Sequence, residues 1–249
     1  MRRNLGKAGL AALFAGWLLA SGTVLASGLQ VSPVSLHLKA VQTADGLWLS
    51  NTGSSALHAQ IRVYHWTQQD DADQLEPSRG LVISPPMLEI KPGDRQLIRV
   101  IRVGAPPNGA NAVEDAYRLA IDELPIDATG AKGLQFVLHY SVPIFLEPAG
   151  NTEVTPELHW QLQRVGAQAV LEVSNTGTGH AQLATVSFVN RNGKRVEVSN
   201  GLLGYVLPGA TMHWTLKQPA TNFAGGGTFE VKINGASATQ NITLADRTH

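Results

Sequence analysis

The sequence predicts an all-β chain folded as two β-sandwiches in tandem. Two repeats come first. Leu47-Trp48-Leu49-Ser50-Asn51-Thr52-Gly53 recurs as Leu171-Glu172-Val173-Ser174-Asn175-Thr176-Gly177, and Lys91-Pro92-Gly93-Asp94 recurs as Leu207-Pro208-Gly209-Ala210. The offsets, 124 and 116 residues, are the size of a domain and not of a solenoid unit. Period-two alternation is the second observation, and regular turn punctuation without any sustained helical period is the third.

The elements follow in order. Arg2, Arg3 and Lys7 precede an apolar run from Leu10 to Ala20, and Val24-Leu25-Ala26 supplies small residues for a signal peptidase. Residues 1–26 therefore form a secretory signal peptide, and the apolar run is short for a retained membrane span of about 20 residues. Removing it leaves 16 Lys+Arg against 19 Asp+Glu, a net charge of −3. Such a chain has no basic excess for nucleic acid or anionic lipid. It has no cysteine, so each exported domain of roughly 100 residues relies on its hydrophobic core.

Residues 27–148 form the first domain. Gln60 to Trp66, Gln96 to Val103 and Tyr117 to Leu124 alternate as strands with one wet face. Asn51-Thr52-Gly53, Pro92-Gly93, Pro106-Pro107-Asn108-Gly109 and Ala128-Thr129-Gly130 separate them. Pro85-Pro86 cannot donate to a ladder and marks an edge, a bulge or a switch between sheets. Leu134 to Leu146 is the longest strand expected, about 40 Å if fully extended. Residues 149–249 form a second, more glycine-rich domain, with Gly225-Gly226-Gly227 as a loop.

Chemistry-bearing motifs are missing. The chain has no nucleophile elbow, no His-Glu-x-x-His, no P-loop and no dinucleotide fingerprint, and so predicts no cofactor and no catalytic residue. His37, His139 and His213 fall in alternating segments, where a solvated strand face is expected rather than a metal site. Asp70-Asp71-Ala72-Asp73 lacks the Gly turn and distal Glu of a calcium loop and is expected to be a solvated connection. The adjacent acids Asp122 and Glu123 point to opposite faces of a strand, which argues against a paired-carboxylate enzyme.

Val82 to Gly93 followed by Gln96-Leu97-Ile98-Arg99-Val100 resembles the central signature of periplasmic pilus-assembly chaperones, the PapD-like proteins of the chaperone–usher pathway. Val31-Ser32-Pro33, Leu49 to Gly53, Glu114 to Pro125 and Leu134 to Pro148 resemble further strands of that family in its order. The resemblance spans the first domain and is loose in the second.

It implies two immunoglobulin-like domains and a binding role without ATP. Its partners would be pilin-like fimbrial subunits and an outer-membrane usher, and it leaves open a self-capping homodimer when free. A subunit lacking its last strand exposes a groove that the chaperone fills with its own strand, called G1 in this family. Leu134, Phe136, Leu138, Tyr140 and Val142 are the expected groove plugs, and their burial is worth on the order of 7–15 kcal/mol before ordering costs. Typical members hold the subunit's C-terminal carboxylate with an Arg and a Lys, but Ser35 and Pro143 stand at those positions. Arg99, with Arg102 and Arg118 behind it, is the expected replacement, because a guanidinium binds a carboxylate bidentately. The competing reading is a secreted tandem adhesin or structural surface protein, which has no use for a long apolar strand face.

Overall fold

The computed structural model describes residues 28–125, 137–150 and 153–246. The signal peptide, Leu134 and Phe136 lie outside the described residues. The N-terminal unit contains β1 (Leu29–Ser32), β2 (Leu36–Leu38), β3 (Ala44–Asn51), β4 (Leu57–Gln69), β5 (Ala72–Pro77), β6 (Leu81–Ser84), β7 (Met87–Ile90), β8 (Arg95–Arg102), β9 (Asp115–Leu124) and β10 (His139–Leu146). One sheet runs β1-β3-β8-β6, and the other runs β2-β10-β9-β4-β5 with β7 also on β4. The C-terminal unit contains β11 (Leu158–Val165), β12 (Gln168–Asn175), β13 (Ala181–Asn190), β14 (Arg195–Val206), β15 (Thr211–Pro219), β16 (Gly227–Ile233), β17 (Ala236–Ile242) and β18 (Leu244–Asp246). Its sheets run β15-β12-β11-β18 and β14-β13-β16-β17. The architecture is two tandem β-sandwiches, as the repeats and the alternation predict, of the immunoglobulin-like kind that the resemblance implies.

Both sequence repeats are structural repeats. Asn51 ends β3 with its side chain buried, donating to Ser55 O (2.8 Å) and Ile90 O (2.9 Å) and accepting from Gly53 N (2.9 Å). Asn175 ends β12 in the same way, donating to Gly179 O (2.8 Å) and Val206 O (3.0 Å) and accepting from Gly177 N (3.0 Å). The Pro-Gly turns dock on these asparagines. Gly93 N donates to Asn51 O and Asn51 N to Asp94 O, just as Gly209 N donates to Asn175 O and Asn175 N to Ala210 O. Gly93 (φ 79°) and Gly209 (φ 76°) occupy left-handed backbone, which explains the glycine in both copies.

Prolines mark the changes of sheet. Pro85-Pro86 lies between β6, in one sheet, and β7, on the other, and the Ser84–Pro85 bond is cis. Ser32–Pro33, also cis, separates β1 from β2, which likewise belong to opposite sheets.

The strand-length expectation needs correction. Among the described residues the longest strand is β4, with 13 residues, while β10 has eight and begins only at His139. Val137 and Leu138 precede β10, and Leu138 O accepts from Glu123 N of β9.

The N-terminal core gathers Leu29, Leu38, Leu47, Leu49, Ile98, Val100, Leu119, Ile121 and Ile144 between its two sheets. Trp66, Ala116 and Phe145 instead join the core cluster of the C-terminal unit. Apolar contact is therefore continuous from one sandwich into the other.

Candidate functional site

Among the described residues, strand β10 lacks a strand partner along part of one edge. It pairs with β9 along its whole length, but with β2 only at Ile144–Leu146. Glu123 N donates to Leu138 O (2.9 Å), so ladder alternation turns the backbone groups of Leu138, Tyr140 and Val142 toward β9. Those of His139, Ser141 and Pro143 face the other side, the side on which Glu147 N reaches Leu38 O (2.9 Å). At Pro143 no N–H exists to be satisfied. Among the described residues the free edge thus spans His139 to Pro143.

The two faces of β10 have different surroundings. Val142 is buried in the core of the N-terminal unit, and Leu138 and Tyr140 are half-buried against the same core. The Tyr140 hydroxyl donates to Leu29 O at 2.6 Å. On the opposite face Val137, His139 and Ser141 are exposed. His139 Nδ1 lies 2.6 Å from Asp122 Oδ1, and Asp122 also takes a 2.7 Å ion pair from Arg62. The expected plugs at Leu138, Tyr140 and Val142 thus cover the chain's own core in the free protein.

The other end of β10 enters a cleft between the units. The cleft encloses about 360 Å³ and is lined by Ser35, His37, Phe145, His180, Gln182 and Tyr205, among others. The Phe145 ring stacks on His180 with centroids 3.5 Å apart and planes 1° from parallel. His180 Nδ1 meets Glu114 Oε2 at 2.6 Å, and His180 N donates to the same oxygen at 2.8 Å, with both side chains buried. Desolvation in the cleft, and then repulsion from His180, lower the pKa of His37 below the ordinary histidine value.

The three expected arginines are not brought together. Arg99 is exposed on β8, in the sheet that does not contain β10. Arg102 directs Nη2 to Ala40 O (3.0 Å) and Nε to Gly104 O (3.3 Å), both loop carbonyls, while its Nη1 is buried without a hydrogen-bond partner. None of the three arginines lines the cleft itself. Arg118 is the cation that lies between the units. Its guanidinium carbon sits 3.6 Å from the centroid of the Trp66 ring and 4.9 Å from that of Tyr205, with Nη2 3.8 Å from Asp73 Oδ2. Burial lowers its pKa, and Tyr205 and Asp73 act in the opposite sense. Arg118 is also the cross-strand neighbour of Pro143. Ser35 immediately precedes Leu36, which pairs with Ile144, the residue after Pro143. Ser35 and Pro143 are therefore neighbours, and Arg118 stands one strand over.

Sequence reasoning missed the contacts between the units. Gln68, near the end of β4, clamps the backbone of the C-terminal unit: Nε2 donates to Tyr205 O (3.0 Å) and Oε1 accepts from Leu207 N (2.8 Å). A glutamine at the polar end of a hairpin carries no sequence signal for such a role. Among the described residues no group of three or more His, Cys, Asp or Glu is placed to hold a metal ion.

Comparisons with known proteins agree with this fold. Among curated proteins none matches the chain. Among solved structures, a chain of the CsuC–CsuE chaperone–tip adhesion subunit complex from archaic chaperone–usher Csu pili of Acinetobacter baumannii is 24% identical, with a TM-score of 0.67 over 87% of this chain and 98% of that one. The SafB chaperone–SafA pilin complex of Salmonella enterica matches at 19% identity and TM-score 0.59, covering 87% and 96%. The CupB2 chaperone of Pseudomonas aeruginosa matches at 18% and 0.57, covering 85% and 98%. At these identities the likeness establishes the fold. Residues 28–152 match the family model for the PapD N-terminal domain of pili and flagellar-assembly chaperones. That segment holds every strand of the N-terminal sandwich, including the free edge of β10, and the chain belongs to this family of non-enzymatic assembly chaperones.

Proposed function

We propose that this protein binds, folds and caps pilin-like subunits in the periplasm by donor-strand complementation through β10 and the segment before it, and delivers them to an outer-membrane usher. The observation that carries the reading is the free edge from His139 to Pro143, on a strand whose other edge is held firmly by β9. An incoming strand gains main-chain hydrogen bonds there without dismantling the sandwich. Apolar residues aligned at every second position, Leu134, Phe136, Leu138 and Tyr140, fill the subunit's groove. Val142 is sealed in the chain's own core and anchors the base of the donor strand. The signal peptide is removed on export.

The test is co-expression with a pilin-like subunit and native mass spectrometry of the tagged protein. A one-to-one complex is expected, and Phe136→Asp is expected to abolish it, because a carboxylate would have to enter an apolar groove. Recovery of the complex by that variant, or of the tagged protein alone from the parent, would overturn the reading.

The carboxylate anchor moves with the geometry. We assign it to Arg118, which is the cross-strand neighbour of Pro143 and whose guanidinium lies against the rings of Trp66 and Tyr205 between the units. Arg118→Gln is expected to lower subunit capture by about tenfold or more, the scale of one lost charge-assisted contact. Arg99→Ala is expected to leave capture unchanged. The reverse pattern in a pull-down titration would return the anchor to β8.

A further inference from the structure

The β4–β5 hairpin of the N-terminal unit reaches over the C-terminal unit, and its tip meets a histidine there. Asp70 (φ 52°) and Asp71 (φ 63°) form the turn in left-handed backbone. Asp71 Oδ1 lies 2.5 Å from His213 Nδ1 on β15. The other ring nitrogen, Nε2, lies 3.0 Å from Glu172 Oε2, directly across the ladder on β12. Gln163, on β11, donates to the same Glu172 oxygen at 3.3 Å. The charged groups facing the imidazole are thus one carboxylate from each unit.

Ionised carboxylates only accept hydrogen bonds, so both ring nitrogens must donate. An imidazolium has two N–H groups, and a neutral imidazole has one. Loss of the proton therefore turns a lone pair toward either Asp71 or Glu172 and breaks one arm of the bridge. The neighbouring contacts are of another kind. The Gln68 clamp holds main-chain groups of the C-terminal unit, with Nε2 also donating to Asp73 of its own hairpin, and the His180–Glu114 pair uses a single ring donor.

We propose that His213 is a protonation-dependent clasp between the two sandwiches, closed when the imidazolium bridges Asp71 and Glu172 and weakened when the ring is neutral. The hydrogen bond to Asp71, opposed by desolvation and reinforced by Glu172, holds the pKa of His213 above the ordinary value of 6.5. A raised folded-state value means that the clasp is fully formed below the ordinary histidine range and is lost as pH rises through the folded-state value. The consequence is a chaperone whose units are fixed relative to one another in mild acid and held more loosely in mild alkali. Gln68 keeps the hinge side in register at both extremes. Exposure of the cluster makes the clasp sensitive to salt as well.

The chain has no cysteine, so two spin labels can be placed without background. Exposed positions Gln96 and Ser237 report on one unit each. With Gln96→Cys and Ser237→Cys labelled in the full mature chain, double electron–electron resonance is expected to give a narrow distance distribution at about pH 5.5 and a broader one at about pH 8.5. The midpoint is expected above 6.5. Asp71→Asn separates the clasp from the other interface histidines. Asparagine tolerates the left-handed turn, and its amide can donate to Nδ1 while a neutral ring donates Nε2–H to Glu172. That variant is expected to stay narrow at both pH values, and His213→Gln to stay broad at both, with circular dichroism confirming that each is folded. A parent distribution that ignores pH, or an Asp71→Asn chain that still broadens, would overturn the proposal.

Discussion

Ser141→Pro is expected to eliminate subunit capture while leaving the chaperone folded. The residue lies at the middle of the free edge, and its N–H and C=O face away from β9. Proline there removes the donor that an incoming strand needs and places its ring in the path of that strand. The ladder to β9 does not use the Ser141 N–H, since Tyr140 and Val142 carry that pairing. The preceding residue, Tyr140, is already extended, as a pre-proline residue must be. The chain itself demonstrates tolerance, because Pro143 occupies the next position of the same edge. In a titration with a pilin-like subunit, affinity is expected to fall by at least about tenfold, or roughly 1.4 kcal/mol. The unfolding midpoint is expected to change little, within the roughly 0.5 kcal/mol typical of exposed substitutions. Capture at parental affinity would mean that the subunit does not add to this edge.

What could be read from the sequence was local chemistry. Asn51 and Asn175, with the Pro-Gly turns that dock on them, are recognisable because each needs a particular residue type at a particular spacing. The Pro85-Pro86 switch is legible for the same reason: a ladder cannot pass through two residues without N–H groups. Placement across sheets was not legible. Strand order pointed to Arg99 as a cleft cation, but alternation specifies only which face of its own sheet a residue takes, and β8 belongs to the sheet opposite β10. Arg118, on the strand next to β10, carried no stronger signal than its neighbours. The contacts between units were still less visible. Asp71 and His213 are 142 residues apart, and an Asp-rich turn facing a strand histidine looks like two solvated surfaces until the hairpin is folded across. Val142 shows a similar limit. Period two groups it with Leu138 and Tyr140, and that face covers the chain's own core at the base of β10 and is half-exposed toward Leu138.

Asn175→Ala is expected to cost the C-terminal unit about 3–5 kcal/mol, which would be a large part of the 5–15 kcal/mol that stabilises an ordinary domain. The side chain is 1% exposed and makes four hydrogen bonds. Its amide nitrogen serves Gly179 O and Val206 O, while its oxygen receives Gly177 N and, at 3.1 Å, Glu157 N. Those partners come from the approach to β11, the turn after β12, the loop before β13 and the end of β14. Alanine leaves all four main-chain groups without this partner, in a place where water has little access. Each unsatisfied buried group costs about 1–3 kcal/mol, and relaxation recovers part of the sum. Asn175→Asp is no milder remedy, since it preserves the two accepted bonds but loses both donors and buries a charge. The equivalent change in the N-terminal unit, Asn51→Ala, breaks three side-chain bonds and is expected to cost less. Urea unfolding followed by hydrogen exchange of each unit separates the two effects. Loss of protection confined to β11–β18 in Asn175→Ala, and to β1–β10 in Asn51→Ala, would show that one asparagine staples each sandwich. Equal protection in the parent and both variants would mean that water replaces the amide at the repeated turn.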